Sequence, residues 1–102
     1  MSFRTVDTPF LPNRGENQVL AVTSVSATAT IDAGANAVRV VNAGPNTAFF
    51  RLGQGAPTAS SADTPVLPGN ELIVRKSPGD NKFAYNGEAD TTIHVQPGKL
   101  VS

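Results

Sequence analysis

Thr23-Ser24-Val25-Ser26-Ala27-Thr28-Ala29-Thr30-Ile31 is the stretch whose reading decides the fold. Val25, Ala27, Ala29 and Ile31 alternate with Ser24, Ser26, Thr28 and Thr30, a period of two that places one set on each side of an extended chain. The stretch reads as a β-strand that buries Val25, Ala27, Ala29 and Ile31. Asp32-Ala33-Gly34-Ala35-Asn36 closes it with turn residues. Downstream, Ala37-Val38-Arg39-Val40-Val41-Asn42 sets Val38 and Val40 on one face and Arg39 and Val41 on the other. A Gly44-Pro45-Asn46 turn leads into Thr47-Ala48-Phe49-Phe50-Arg51-Leu52, and the short link predicts an antiparallel hairpin of these two strands.

The long irregular stretch 53–70 is expected to be a surface loop with a short edge segment at Pro65 to Leu67. Strands follow at Glu71 to Lys76, Lys82 to Tyr85 and Thr91 to Gln96, with turns at Ser77 to Asn81 and at Asn86-Gly87, the latter connection lengthened by Glu88-Ala89-Asp90. Short strands separated by Gly, Pro and Asn turns predict an all-β, antiparallel β-sandwich that is jelly-roll-like. A parallel sheet would need crossover helices, and no window has a useful helical period. Residues 1–17 lack either period and hold Pro9 and Pro12, so they read as an extended N-terminal arm ahead of a sandwich domain at 18–102.

Composition agrees. The 102 residues fit one domain, and only 16% are charged, against about 25% in ordinary domains. Eight basic and eight acidic residues cancel, which leaves no field to draw nucleic acid or an anionic membrane. The absence of cysteine removes disulfide scaffolds, thiolate zinc sites and thiol nucleophiles. Met1 to Asp7 has no apolar run of the signal-peptide kind, and no 18 apolar residues follow one another.

No catalytic pattern emerges, so the expectation is a protein that is not an enzyme, with no cofactor, no metal and no small-molecule substrate. His94, the one histidine, lies between Ile93 and Val95 and should point away from the face they bury. Ser60-Ser61 has no histidine nearby in sequence, though a triad with His94 and an aspartate could form only in space. Glu71, Glu88 and Asp90 fall at strand ends and turns, and Asp63 and Asp80 fall in turns. Gly53-Gln54-Gly55 lacks the spacing of a phosphate cradle. Arg39, Arg51, Arg75 and Lys76 could share an outward basic face, interleaved by Phe49 alone. The outward positions are rich in Ala, Thr, Ser, Asn and Gly, small side chains that lose little entropy when a partner covers them.

The runs Ala37 to Gly44, Ala48 to Gly53, Thr64 to Gly69 and Thr92 to Gly98 resemble small capsid decoration or cement proteins of tailed bacteriophages. The resemblance spans about residues 20 to 100 and rests on strand-and-turn patterns. It implies a virion structural protein on the capsid exterior, assembled in the host cytoplasm, with the major capsid protein as partner and a homo-oligomer, trimer or dimer, as the working form. The arm would lie across neighbouring subunits, with Phe3, Phe10, Leu11, Phe49 and Arg51 as candidate capsid or subunit contacts. A head–tail connector, a tail protein and a carbohydrate-binding module are the alternatives, the last disfavoured by the lack of tryptophan and the single tyrosine.

Overall fold

The computed structural model describes residues 10–100. Its strands are β1 (Phe10–Pro12), β2 (Gln18–Val22), β3 (Ala27–Thr30), β4 (Ala37–Asn42), β5 (Ala48–Gly53), β6 (Thr64–Val66), β7 (Glu71–Arg75), β8 (Lys82–Gly87) and β9 (Thr91–Leu100). They form two antiparallel sheets. In one, β9 is flanked by β4 and then β7 on one side, and by β1 and β2 in succession on the other. The second sheet runs β3, β8, β5, β6.

From β2 onward the pairing is nested: β2 with β9, β3 with β8, β4 with β7 and β5 with β6. This is a chain doubled back once, at residues 54–63, into a ribbon of paired strands and then rolled so that β4 also meets β9 and β5 meets β8. The result is a jelly roll, as the sequence predicts. The rolling separates β4 and β5 into different sheets, so the hairpin expected of them does not form. The link 43–47 crosses between sheets instead of joining neighbours.

The core lies between the sheets. Val38, Val40, Ile93 and Val95 of one sheet face Ala48, Phe50, Val66, Phe83 and Tyr85 of the other, all buried. Phe50 and Phe83 stack with ring centroids 5.2 Å apart, and Tyr85 lies 6.0 Å from Phe83. Such pairs contribute about 0.5–1.5 kcal/mol each beyond their buried area. Val22 and Ile31 close the side of the core where β2 passes to β3.

The strand read from Thr23 to Ile31 is shorter than its alternation suggests. Thr23 Oγ accepts from the Val25 N–H at 3.1 Å, which makes a local turn where the chain crosses from one sheet to the other. Val25 is consequently 72% exposed instead of buried, and only Ala27–Thr30 pair. Asn86-Gly87 belongs to β8 and pairs with Phe49 and Ala48, so the turn into β9 is made at residues 88–90. The edge segment expected at Pro65 to Leu67 is present one residue earlier as β6.

Asn42, at the end of β4, is fully buried and makes every hydrogen bond available to it. Its amide donates to the carbonyls of Asn46 at 2.7 Å and Val66 at 2.8 Å. Its side-chain oxygen accepts from the Gly44 N–H at 3.0 Å and the Thr91 hydroxyl at 2.9 Å. Its backbone N–H donates to Asn70 O, and its carbonyl accepts from the Gly69 N–H. Gly44 packs so closely on Thr91 and Thr92 that a Cβ would fall 2.6 Å from the Thr92 nitrogen. Asn42→Ala would leave buried carbonyls and donors unpaired and should lower unfolding stability by about 3 kcal/mol, read from urea denaturation. Gly44→Ala should destabilise as well, and Thr91→Val should cost less because it removes one of the bonds only.

Candidate recognition surface

The expected contact residues are scattered by the fold. Phe3 lies outside the described residues. Phe10, half-buried in β1, lays its ring over Gly98, where a Cβ would come within 2.7 Å of it, so its aromatic surface is spent inside the protein. Leu11 is 56% exposed. Phe49 and Arg51 alternate with the buried Ala48 and Phe50, which puts them on the outer face of the β3–β8–β5–β6 sheet.

That outer face is partly covered by the chain's own loop 54–63. The Ala59 N–H donates to Ser26 Oγ at 2.9 Å, at the far edge of the sheet. At the near edge, Arg51 donates to Asp63 Oδ1 at 3.0 Å, and the other oxygen of Asp63 accepts from the Ser60 N–H at 2.8 Å. Ala84 alternates with the core residues Phe83 and Tyr85 and so faces this loop, yet it is fully buried, and Ala59 is only 4% exposed.

The basic residues do not form one patch. Arg39 sits on the outer face of the opposite sheet and pairs with Glu71. Lys76 is buried, and its ammonium donates to the carbonyls of Ala33 at 3.0 Å and Ser77 at 3.3 Å. Ser60 and His94 lie on opposite outer faces of the sandwich, so they cannot join in a triad. Of the candidate carboxylates, Glu71 is taken by Arg39, while Asp90 and Glu88 hold the 88–90 turn through their backbone. Among the described residues no group of three or more His, Asp or Glu converges as a metal site would need.

Two depressions meet at Asn17, a residue the sequence reading passed over. One, of about 490 Å³, opens on the side of the sandwich between β2 and β3 and is lined by Glu16, Asn17, Gln18, Thr30, Asp32 and Pro97, among others. Its shape is held by the Asn13 amide, which donates to Glu16 at 3.0 Å and Asp32 at 3.1 Å. Gln18 spans it, donating to Thr30 O at 2.7 Å. The other, of about 310 Å³, lies on the outer face of the first sheet between Asn17, Arg39, Val41, His94 and Gln96. His94 points outward as expected, its Nδ1 at 3.3 Å from the Asn17 amide. Val19, directly beside His94 in the register, is 62% exposed. This surface offers hydrogen-bond donors and acceptors around a small apolar centre, which suits recognition. Its residues are spread over 13–43 and 94–97, and no local motif marks them.

No family model and no curated protein matches the chain. Among solved structures it is similar to the crystal structure of PirA, with a TM-score of 0.57 and 13% identity over 83% of this chain and 95% of that one. The likeness is one of fold. It overturns the resemblance to phage decoration proteins, since PirA is a toxin component and not a capsid protein. The patterns that carried that resemblance are strand-and-turn sequences that any small jelly roll needs. The capsid partner and the virion location were implied by that resemblance, and a likeness of fold bears on neither.

The hold of Asp63 on the loop is testable. Asp63→Ala should speed exchange of the Ala59 amide about tenfold in hydrogen-exchange mass spectrometry, while amides of β4 and β9 keep their protection.

Proposed function

We propose that this chain is a non-enzymatic recognition component of a toxin-like assembly, one that acts only together with a second protein. The observation that carries the proposal is the extent of the PirA likeness. It covers 95% of that chain, so what is shared is a whole jelly roll and not a fragment of a larger fold. PirA is itself one component of a binary toxin.

The surface around Asn17, Val19 and His94 is the place for the second protein to dock. It pairs an exposed apolar side chain with a rim of amides and charged groups, the arrangement found where protein interfaces concentrate their energy. The balanced charge gives no electrostatic reason for a nucleic acid or an anionic membrane to be the primary partner.

The purified chain should be applied to cultured insect cells alone, and together with the second component of the binary toxin to which PirA belongs. Permeabilisation is expected only with both, and the two proteins should co-elute. Val19→Asp, on an exposed position, should weaken their association about tenfold with unchanged circular dichroism. An inert pair that does not co-elute would overturn the reading.

A further inference from the structure

We infer that the open edge of β3 is a self-association surface, pairing antiparallel with β3 of a second copy of this chain. A sheet edge exposes backbone donors and acceptors, and proteins commonly guard it with charge, proline or an interruption. Among the described residues the other edges are guarded. β6 is three residues long and contains Pro65. β7 carries Glu71 and Arg75 on the residues that alternate with those bonded to β4. The β1–β2 edge is broken by the Pro12–Asn17 turn, which brings Arg14 and Glu16. From Thr23 to Thr30 there is no charge and no proline, and Ala27, Thr28 and Thr30 are exposed.

Which groups face the opening follows from the ladder. Along an antiparallel strand, residues that bond the neighbour alternate with residues whose N–H and C=O point the other way. The Ile31 N–H donates to Asn81 O at 2.9 Å, in register with Ala29 opposite Phe83 and Ala27 opposite Tyr85. Thr28 and Thr30 therefore turn their backbone groups outward. The Thr30 carbonyl is met there by the Gln18 amide at 2.7 Å, as this alternation requires. The Thr28 N–H, the Thr28 carbonyl and the Thr30 N–H are directed at the open side.

This set is self-complementary. With a two-fold axis through Thr28, that residue bonds Thr28 of the second copy in both directions, its N–H to the carbonyl opposite and its carbonyl to the N–H opposite, so the contact closes as a two-fold pair. Side chains of the strand itself are Ala, Ser and Thr, and facing threonines are a favourable cross-strand pair. The one charge beside them, the Lys82 ammonium, donates to the Thr30 hydroxyl at 2.9 Å at the end of the strand away from the axis. One strand pair buries less than the roughly 1,200 Å² of a stable interface, so the dimer belongs to the weak class.

The full chain should be followed by sedimentation equilibrium from about 10 μM to about 1 mM, alongside Thr28→Pro, which removes an outward N–H without touching the ladder to β8. If Thr28→Pro loses its β-sheet circular dichroism, Thr28→Lys takes its place. The expected result is a rise toward twice the 10.6 kDa of one chain, with the dissociation constant of the variant raised about tenfold or more. Because the chain has no cysteine, Thr28→Cys supplies a second readout. Hydrogen-bonded antiparallel partners sit about 5.5 Å apart, within disulfide reach, so this variant should cross-link under oxidation about tenfold faster than Leu67→Cys, on an exposed loop residue. A wild type that stays at the single-chain mass, equal association by the variant, or equal cross-linking by the two cysteines would overturn the inference.

Discussion

The sandwich depends on Asn42. A jelly roll of this size must bring four chain crossings together at one end, and each leaves backbone groups that no sheet can satisfy. Asn42 sits where β4 ends and ties the 43–47 crossing, the end of β6, the 67–70 turn and the start of β9 through its side chain and backbone together. An amide is the one uncharged side chain with two donors and two acceptor sites, so neither Asp nor Leu of similar volume could replace it. The close approach of Gly44 to Thr91 belongs to the same arrangement, since a bulkier residue would push the crossing away from the amide.

The core supported by this hub is thin. Its large members, Phe50, Phe83 and Tyr85, all come from the β3–β8–β5–β6 sheet, and the opposite sheet answers with valine and isoleucine. Large against small is how two flat layers interdigitate without voids. Loop 54–63 adds a partial third layer on the outside of the aromatic sheet, held by Asp63 at one end and Ser26 at the other. The longest irregular segment is thus the closed end of the rolled ribbon, and its length is what lets it reach across the sheet.

Much of this was legible in the residues. Alternation in Ala37 to Asn42 and in Thr91 to Gln96 placed two central strands on their correct faces, because one face of each is buried and period-two patterning survives there. The same rule misled at Val25, where a local Thr23 turn competes with the strand, and turn chemistry misled at Asn86-Gly87, a turn-like pair held in extended form by β5 on its flank. Pairing was the harder inference. A short link suggested that β4 and β5 are neighbours, whereas nested pairing is fixed by which faces can share one core, and no local window carries that information. The surface around Asn17 was invisible for the same reason: β2, β9 and β4 meet there only after the ribbon has rolled.

The low charge and abundant small residues have a different cause from the one their composition suggests. Surfaces rich in Ala, Thr and Ser read as made for a partner to cover. In the fold, Ala37, Ala48 and Ala84 are fully buried and Ala35 and Ala59 nearly so, each by the chain itself. Small side chains let the two sheets, the loop and the crossings approach closely in a chain too short to afford thick layers. With those accounted for, exposed, uncharged stretches remain in loop 54–62, along 64–70 and around β3. Only the last is a sheet edge that turns its backbone groups outward without a proline, and there backbone geometry, which composition does not record, decides what can bind.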